Sequence, residues 1–195
     1  WGATVNRPDV LDIFELTINP TNPDEYLLDE AWVPFEIEED YLQIKLLGFL
    51  KIKSKQSFKY SKFGPVLEIQ DKVFALRHST QNSFQEIDGW FSLNKADSVQ
   101  AFESALSSRK IPSFNFVVMD SAKNIGFFYN GRIPSRENAK AAREVLQGTS
   151  SRDIWPLNKS IQDLPTFINP ENGWIQSTNQ NPYAVMGEYS SALDL

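Results

Sequence analysis

Apolar and polar residues alternate over much of the first 80 residues, in the short runs that β-strands require. The first run covers residues 9 to 18, DVLDIFELTI, and ends at a cluster of prolines. Four more runs cover residues 31–40, 42–53, 56–69 and 72–79. The residues between them predict turns at residues 38–40, around Lys55 and at residues 70–71. The pattern therefore predicts a β-meander of five strands.

The period changes to that of a helix after residue 93. Apolar side chains then recur at intervals of three and four residues, at Ala96, Val99, Phe102 and Leu106. Asn94 or Asp97 is the expected N-cap of this main helix. A weaker helical pattern covers residues 136–147 and ends at Gly148. Strands grouped ahead of a helix and a hairpin are typical of the α+β class.

Residues 1–195 are predicted to form a single domain. The length suits one domain with a real core, and neither an internal repeat nor a long linker divides the chain. The last fifty residues carry no strong period and are expected to be mostly irregular, wrapping over the surface.

Residues 114 to 136, FNFVVMDSAKNIGFFYNGRIPSR, place two apolar runs around a short polar turn. They predict antiparallel strands at residues 113–119 and 124–131, with a turn that the side chain of Asp120 anchors. Both faces of the first strand are apolar except at Asn115, so this amide should be buried in a layered core. Arg136 follows the second strand. Since the two strands return to the same end, Asn115 and Arg136 are expected there.

Two interpretations of this pair stay open from the residues alone. A buried amide without a partner costs about 1–3 kcal/mol, so Asn115 either satisfies neighbouring backbone or is kept for a ligand. Arg136 is either a surface cation or part of the same site.

Composition and charge limit the classes of function. Apolar residues make up 41% of the chain and aromatic residues 13%, which indicates a folded, β-rich protein. The net charge of −6 disfavours nucleic acid as a partner. Lys51, Lys53 and Lys55 share one strand face, which a solvated surface explains, so no membrane role is predicted. The longest apolar runs are far below the ~20 residues of a membrane span.

Two common hydrolytic nucleophile systems find no support. The chain has no cysteine, which excludes a thiol nucleophile within it. His78, the only histidine, lies within a predicted strand and is interpreted as a packing residue rather than as a base. No serine stands at a legible spacing from a base, so a Ser-His-Asp site is not predicted.

Six segments occur in the order of one known family. They are WGAT…DVLDIFE, NPDEYLLDEAWVPFEIEE, FGPVL, FALRHST, the hairpin sequence and NPENGWIQSTNQNP. Together they resemble the penicillin acylase, or penicillin amidase, family of N-terminal-nucleophile hydrolases, which includes acyl-homoserine-lactone acylases. Three positions depart from the family pattern: Phe63 replaces a usual His, His78 a usual Trp, and Lys123 a usual Gly in the hairpin turn.

The resemblance implies that the chain is an internal portion of a β subunit. The fold would be part of an αββα layered sandwich, with a β-meander, one main helix and a core β-hairpin. The activity would be hydrolysis of a linear amide that joins an acyl group to an amine. The family's nucleophile is an N-terminal Ser whose own α-amine serves as the base. Position 1 is Trp, so that Ser would lie upstream and this chain alone is expected to be inactive.

The resemblance also assigns residues. Asn115 matches the family's oxyanion-hole Asn, and Arg136 matches an active-site Arg close to the nucleophile's amine. Both are then expected to open onto one cleft. Asp9, the Leu11 carbonyl and Asp12 match a calcium-binding segment, and three oxygens in one loop suit that ion. Without the family, two acids in an edge loop would simply be read as solvated.

The implied partners are the α subunit, the rest of the β subunit and a small-molecule amide substrate. The implied location is periplasmic or secreted. Apolar surface left exposed where those segments would dock is expected to favour self-association. The alternative from another class is a stand-alone, non-catalytic β-rich binding module that shares the scaffold. A cleavage junction and an α region upstream of Trp1 would separate the two hypotheses.

Overall fold

The computed structural model describes residues 1–46, 48–81, 84–136, 144–157 and 164–179. Contacts divide the chain into two compact units, each made from separate stretches of sequence. The first unit comprises Trp1–Val10, Ser79–Ser135 and Leu157–Leu195, and the second comprises Leu11–His78 and Arg136–Pro156. The single domain over residues 1–195 that the sequence indicates stays a prediction. Among the described residues, no helix is long and apolar enough to cross a membrane.

Strands dominate the described part of the chain, as the α+β prediction requires. In chain order the elements are β1 (Gly2–Val5), β2 (Leu11–Leu16), β3 (Ile18–Asn19), β4 (Asn22–Leu28), β5 (Ala31–Pro34), β6 (Glu36–Leu46), β7 (Leu50–Tyr60), β8 (Val66–Ile69), β9 (Lys72–His78), α1 (Glu86–Lys95), α2 (Val99–Ser107), β10 (Phe114–Met119), β11 (Ile125–Asn130), β12 (Leu146–Gln147) and β13 (Thr166–Ile168). A short 3₁₀ turn covers Ser151–Asp153.

The first unit is built on an antiparallel sheet with the strand order β1-β10-β11-β13. The two helices pack on one face of this sheet, where a core forms from Leu93, Val99, Phe102, Leu106, Ile111, Phe116 and Phe128. The opposite face carries a second cluster with Phe127, Tyr129 and Ile133 at its centre. The sheet is therefore covered on both faces, as the two-sided apolar pattern of β10 predicts.

The predicted hairpin is confirmed by β10 and β11, which pair antiparallel from Phe114↔Asn130 to Met119↔Ile125. Asp120 anchors the turn as expected: its Oδ1 accepts from the Asn124 backbone N–H at 2.9 Å, and its Oδ2 accepts from the Asn124 side chain. Lys123 adopts φ +68°, the left-handed conformation that the family's usual glycine reaches without strain.

Two helices stand where one was predicted. α2 carries the expected apolar stripe, but its N-cap is Ser98, whose Oγ accepts from the Ala101 N–H at 3.2 Å. Asn94 and Asp97 do not cap it, because residue 94 still belongs to α1 and residue 97 to the connection. α1 was missed because only Gly89 and Leu93 of its ten residues are buried, which leaves little helical period to detect.

The described residues of the second unit form three small sheets: β12-β2-β9-β8, β3-β4-β5 and β6-β7. Alternate residues of β2, namely Asp12, Phe14 and Leu16, face inward. Their core includes Tyr26, Phe35, Phe63 and Ala75.

Two predicted turns of the meander are wrong. Residues 38–40 and Lys55 lie inside β6 and β7, which pair over eleven residues each from Glu36↔Tyr60 to Leu46↔Leu50. The chain reverses instead around Gly48, whose φ of +79° suits a glycine. The turn at residues 70–71 is confirmed, with Gln70 at φ +56°.

The weak helix predicted for residues 136–147 is wrong at its end. Leu146–Gln147 form β12, which pairs parallel to β2, while residues 137–143 lie outside the described part of the chain. Gly148 comes next, and the backbone there passes close to β2. A Cβ at this position would lie 2.5 Å from Leu16 Cδ2, so only glycine fits without a shift of that side chain. Its glycine marks this close approach rather than a helix end.

Candidate functional site

Asn115 lies in the middle strand pair of the first unit. The strand register places it between Thr4 of β1 and Tyr129 of β11. It has 0% relative exposure, which confirms the predicted burial. Its register partner Tyr129 belongs to the apolar cluster on the second face of the sheet, and the opening of Asn115 onto a cleft stays a prediction.

Two further buried asparagines lie at the same end of that sheet, where Val5, Phe114 and Asn130 are in register. Asn6 donates from Nδ2 to the Asn130 carbonyl at 2.8 Å, and Asn130 donates from Nδ2 to the Pro112 carbonyl at 3.0 Å. The Oδ1 atoms of Asn6 and Asn130 are buried without a hydrogen-bond partner among the described residues. The sequence analysis singled out neither asparagine. The available signal was Asn130, which ends the apolar run GFFYN.

Arg136 belongs to the second unit and is not a surface cation. Its Nε donates to Asp12 Oδ2 at 2.9 Å, and the two side chains are only 10% and 2% exposed. The indole Nε1 of Trp155 donates to the same carboxylate oxygen. The guanidinium also lies 5.7 Å from the centre of the Trp155 ring, within the range of a cation–π contact. These contacts fix the orientation of the Arg136 side chain.

A second guanidinium completes this buried cluster. Arg77 of β9 is in register with Asp12 of β2 and is buried. It donates from Nε to the Trp155 carbonyl at 2.8 Å and from a terminal nitrogen to the Phe63 carbonyl at 3.0 Å. Burial lowers the pKa of Arg77, and the negative charge of Asp12 opposes that shift. Both guanidiniums therefore interact with the negative charge of Asp12, Arg136 through an ion pair and Arg77 electrostatically.

Sequence reasoning assigned no role to Arg77 or Trp155. The signal was present in β9, where the alternation that buries Ala75 also turns Arg77 inward. A charged residue on a core face requires partners, because an unpaired buried charge is costly.

Asn115 and Arg136 belong to different units, so their predicted convergence on one space stays a prediction. The structure shows the burial of both groups and the hydrogen-bond partners of Arg136. The amide donor is fully buried, and the guanidinium is buried and oriented by Asp12 and Trp155. Neutral amide donors and oriented cations are the groups that stabilise a developing oxyanion.

The calcium prediction involves Asp9, the Leu11 carbonyl and Asp12. Among the described residues, no three acidic, histidine or cysteine side chains are grouped as metal ligands. Asp12 Oδ2 is already occupied by Arg136 and Trp155, whereas Asp12 Oδ1 is buried and has no hydrogen-bond partner within the described ranges. A buried carboxylate oxygen of this kind fits a hard cation. Leu11 and Asp12 are the first two residues of β2 and only Asp9 precedes the strand, so the expected common loop is not formed, while the binding of one calcium ion by the three residues stays a prediction.

His78 ends β9 opposite Leu11. Burial lowers its pKa, and it is half-buried at the sheet surface. Its interpretation as a packing residue stays a prediction.

The α+β fold is that of the N-terminal-nucleophile hydrolase class, as the comparison with a solved structure shows. A thermostable penicillin G acylase from Alcaligenes faecalis matches with a TM-score of 0.79 and 26% identity, over 93% of this chain and 33% of that one. The model of the penicillin amidase family matches residues 1–193, so the chain belongs to the penicillin amidase family.

Curated relatives carry acylase names. The acyl-homoserine lactone acylase PvdQ of Pseudomonas savastanoi pv. phaseolicola is 25% identical over 95% of this chain and 27% of its own length. The penicillin G acylase of Escherichia coli is 22% identical over 93% of this chain and 21% of its own length. The chain therefore spans about a quarter of the length of these relatives.

Proposed function

We propose that this chain is a β-subunit portion of an acylase that hydrolyses a linear amide into a carboxylic acid and an amine. The observation that carries the proposal is the family match over residues 1–193, together with a buried amide donor at Asn115 in the core hairpin. The acylase names of the relatives support the reaction class. The acyl group and the amine stay open between penicillins, acyl-homoserine lactones and other acylated amines.

The reaction requires a nucleophile, a base and an oxyanion donor. By family resemblance, an N-terminal Ser attacks the amide carbon while its own α-amine takes the hydroxyl proton. The carbonyl oxygen then carries negative charge, and the Asn115 Nδ2–H group donates to it. A neutral donor held in place stabilises that charge without reorganisation. The amine leaves with a proton, and water releases the acid from the ester formed on Ser.

Arg136 is proposed to act on the α-amine. A guanidinium nearby disfavours the protonated amine, which lowers the pKa of that amine and keeps it a base at neutral pH. The ion pair with Asp12 supports this role, because it keeps the cation in one orientation. Asp12 is in this account a positioning residue for Arg136.

Calcium is proposed as a structural ion held by Asp9, the Leu11 carbonyl and Asp12. Support comes from the unpartnered, buried Oδ1 of Asp12 among the described residues. The ion would supply positive charge that stabilises the start of β2, and the reaction would take no step through it. The α subunit and the remaining β segments are proposed partners, and the periplasm is the proposed location.

The test is to express the complete gene and to identify the chain that precedes Trp1. A β chain that begins with Ser, and release of free amine from an acylated substrate such as a penicillin or an acyl-homoserine lactone, are expected. N-terminal sequencing and an amine-release assay measure these two results. A gene without a cleavage junction and an α region would contradict the proposal and favour a binding module.

A further inference from the structure

The hairpin of β6 and β7 ends in an exposed apolar tip. The tip comprises Leu46, Gly48, Phe49 and Leu50, and Phe49 is 81% exposed. Leu46 pairs with Leu50, and Ile44 pairs with Ile52 one step further back on the same face. Hairpin turns in water normally use polar residues and glycine, such as Asn-Gly. Exposed apolar groups at this density mark a surface that contacts either another protein or a membrane.

Lysines lie directly behind the tip on the other face. The register pairs Lys45 with Lys51, and Lys53 and Lys55 continue the same face. Lys55 has an ion pair with Glu39 at 2.7 Å, whereas none joins Lys45, Lys51 or Lys53 to an acid within the described ranges. The sequence contains no acidic residue from 41 to 67, although the chain carries a net charge of −6.

Like charges directly opposite each other on two strands destabilise the pair. An anionic partner at the base of the tip would therefore stabilise the Lys45–Lys51 pair. The tip itself would be stabilised by contact with an apolar partner. An anionic lipid bilayer supplies both within a few ångströms, with phosphates at its boundary and acyl chains beneath. Lysine stems can lie along the inserted leucines while their ammonium groups stay at the phosphates.

We propose that the tip of the β6–β7 hairpin inserts into the surface of an anionic lipid membrane, with Phe49, Leu46 and Leu50 in the acyl boundary. Lys45 and Lys51 then contact lipid phosphates. A second copy of this chain fits less well, because it would bring the same unneutralised lysines to the contact. The sequence alone accounted for the lysines as a solvated face. The exposed tip next to them changes that conclusion, and the inference is independent of the proposed catalysis.

The test is binding of the 195-residue chain to lipid vesicles, measured by co-sedimentation. We expect binding to vesicles of phosphatidylcholine mixed with phosphatidylglycerol and weak binding to phosphatidylcholine alone. Phe49→Ser should lower the affinity roughly tenfold, since a large apolar side chain no longer leaves water. The double change Lys45→Gln and Lys51→Gln should lower it roughly 30-fold, at about 1 kcal/mol for each lysine near an anionic surface.

Matched controls separate the tip from general stickiness and charge. Phe84 is 92% exposed outside the hairpin, and Phe84→Ser should leave vesicle binding unchanged. The pair Lys95→Gln and Lys110→Gln removes the same charge elsewhere and should weaken binding by less than threefold. Circular dichroism of each variant confirms that it is folded.

Three results would overturn the proposal. One is the absence of binding to anionic vesicles by the wild-type chain. Another is equal weakening by Phe49→Ser and Phe84→Ser. The third is lipid-free self-association that Phe49→Ser abolishes while vesicle binding is unaffected, which would assign the tip to a second copy of the chain.

Discussion

At the scale of single residues, Asp12 connects two predictions that the sequence kept apart. It was expected as a calcium ligand, and Arg136, 124 residues away, was expected beside a nucleophile. In the structure one carboxylate oxygen of Asp12 binds both Arg136 and Trp155, and the other oxygen has no partner among the described residues. Spacing along the chain carries no information about such a contact, so only the folded second unit reveals it.

Replacing Asp12 with Asn keeps the shape of the side chain and removes its charge. The buried ion pair between Asp12 and Arg136 would then be broken from one side, which typically costs about 3–5 kcal/mol. We expect a loss of that size in the free energy of unfolding of the chain, measured by chemical denaturation. Asp71→Asn, at an exposed turn, should change it by less than about 0.5 kcal/mol. Equal effects of the two changes would contradict the role given to Asp12.

At the scale of elements, local patterns predicted what is held together locally. The hairpin of β10 and β11 was predicted to within a residue, because its two strands are adjacent in sequence and Asp120 marks the turn. The turn at Gly48 was missed because leucines and Phe49 surround the glycine, so the run reads as one strand. β12 was missed because its pairing partner, β2, lies far away in the sequence.

The candidate site follows the same rule. The burial of Asn115 could be predicted from the alternation within one strand, and the identity of both proposed catalytic residues came from the family motif. The companions of each residue could not be predicted. Asn6, Arg77 and Trp155 each bind a partner that lies 78 or more residues away in the sequence.

Lys123→Gly tests the strain at the hairpin turn. The left-handed conformation at φ +68° destabilises the folded state by about 1–2 kcal/mol for a residue other than glycine. Glycine removes this strain, but its greater entropy in the unfolded chain offsets part of the gain. We expect the free energy of unfolding to rise by about 0.5–1 kcal/mol, measured by denaturant titration. Ala122→Gly, in the same turn but without a positive φ, should instead lower it. Destabilisation by Lys123→Gly would show that the lysine side chain stabilises the turn.

At the scale of the whole molecule, His78 contributes to the pH dependence of unfolding. Burial lowers the pKa of His78 below its ordinary 6.5, so the folded chain binds this proton less readily than the unfolded chain. Protonation of His78 does not affect stability above pH 6.5. Below pH 6.5, the unfolded chain binds the proton more readily, so the folded state loses stability as the pH falls. We expect the Tm of the wild-type chain to fall between pH 7.5 and 5.5 more than that of His78→Phe. Parallel Tm curves would contradict the assigned shift.

The length of the chain and the burial of Asn115 both bear on the proposed function. The chain covers about a quarter of its curated relatives and a third of the solved acylase chain, and Asn115 is fully buried within it. In the proposed complete enzyme, the Asn115 amide must therefore become accessible to the substrate.

Turnover by the complete, self-processed enzyme with Asn115→Ala tests this account most directly. Removal of one oxyanion donor typically slows the chemical step by about 10²–10³-fold, or about 2.7–4 kcal/mol. We expect that loss in kcat for Asn115→Ala and at least as large a loss for Asn115→Asp, whose carboxylate repels the oxyanion. Asn19→Ala removes a buried amide whose Nδ2 donates to Glu25, and kcat should stay near normal. Near-normal kcat for folded Asn115→Ala enzyme would contradict the account and leave Asn115 a structural residue.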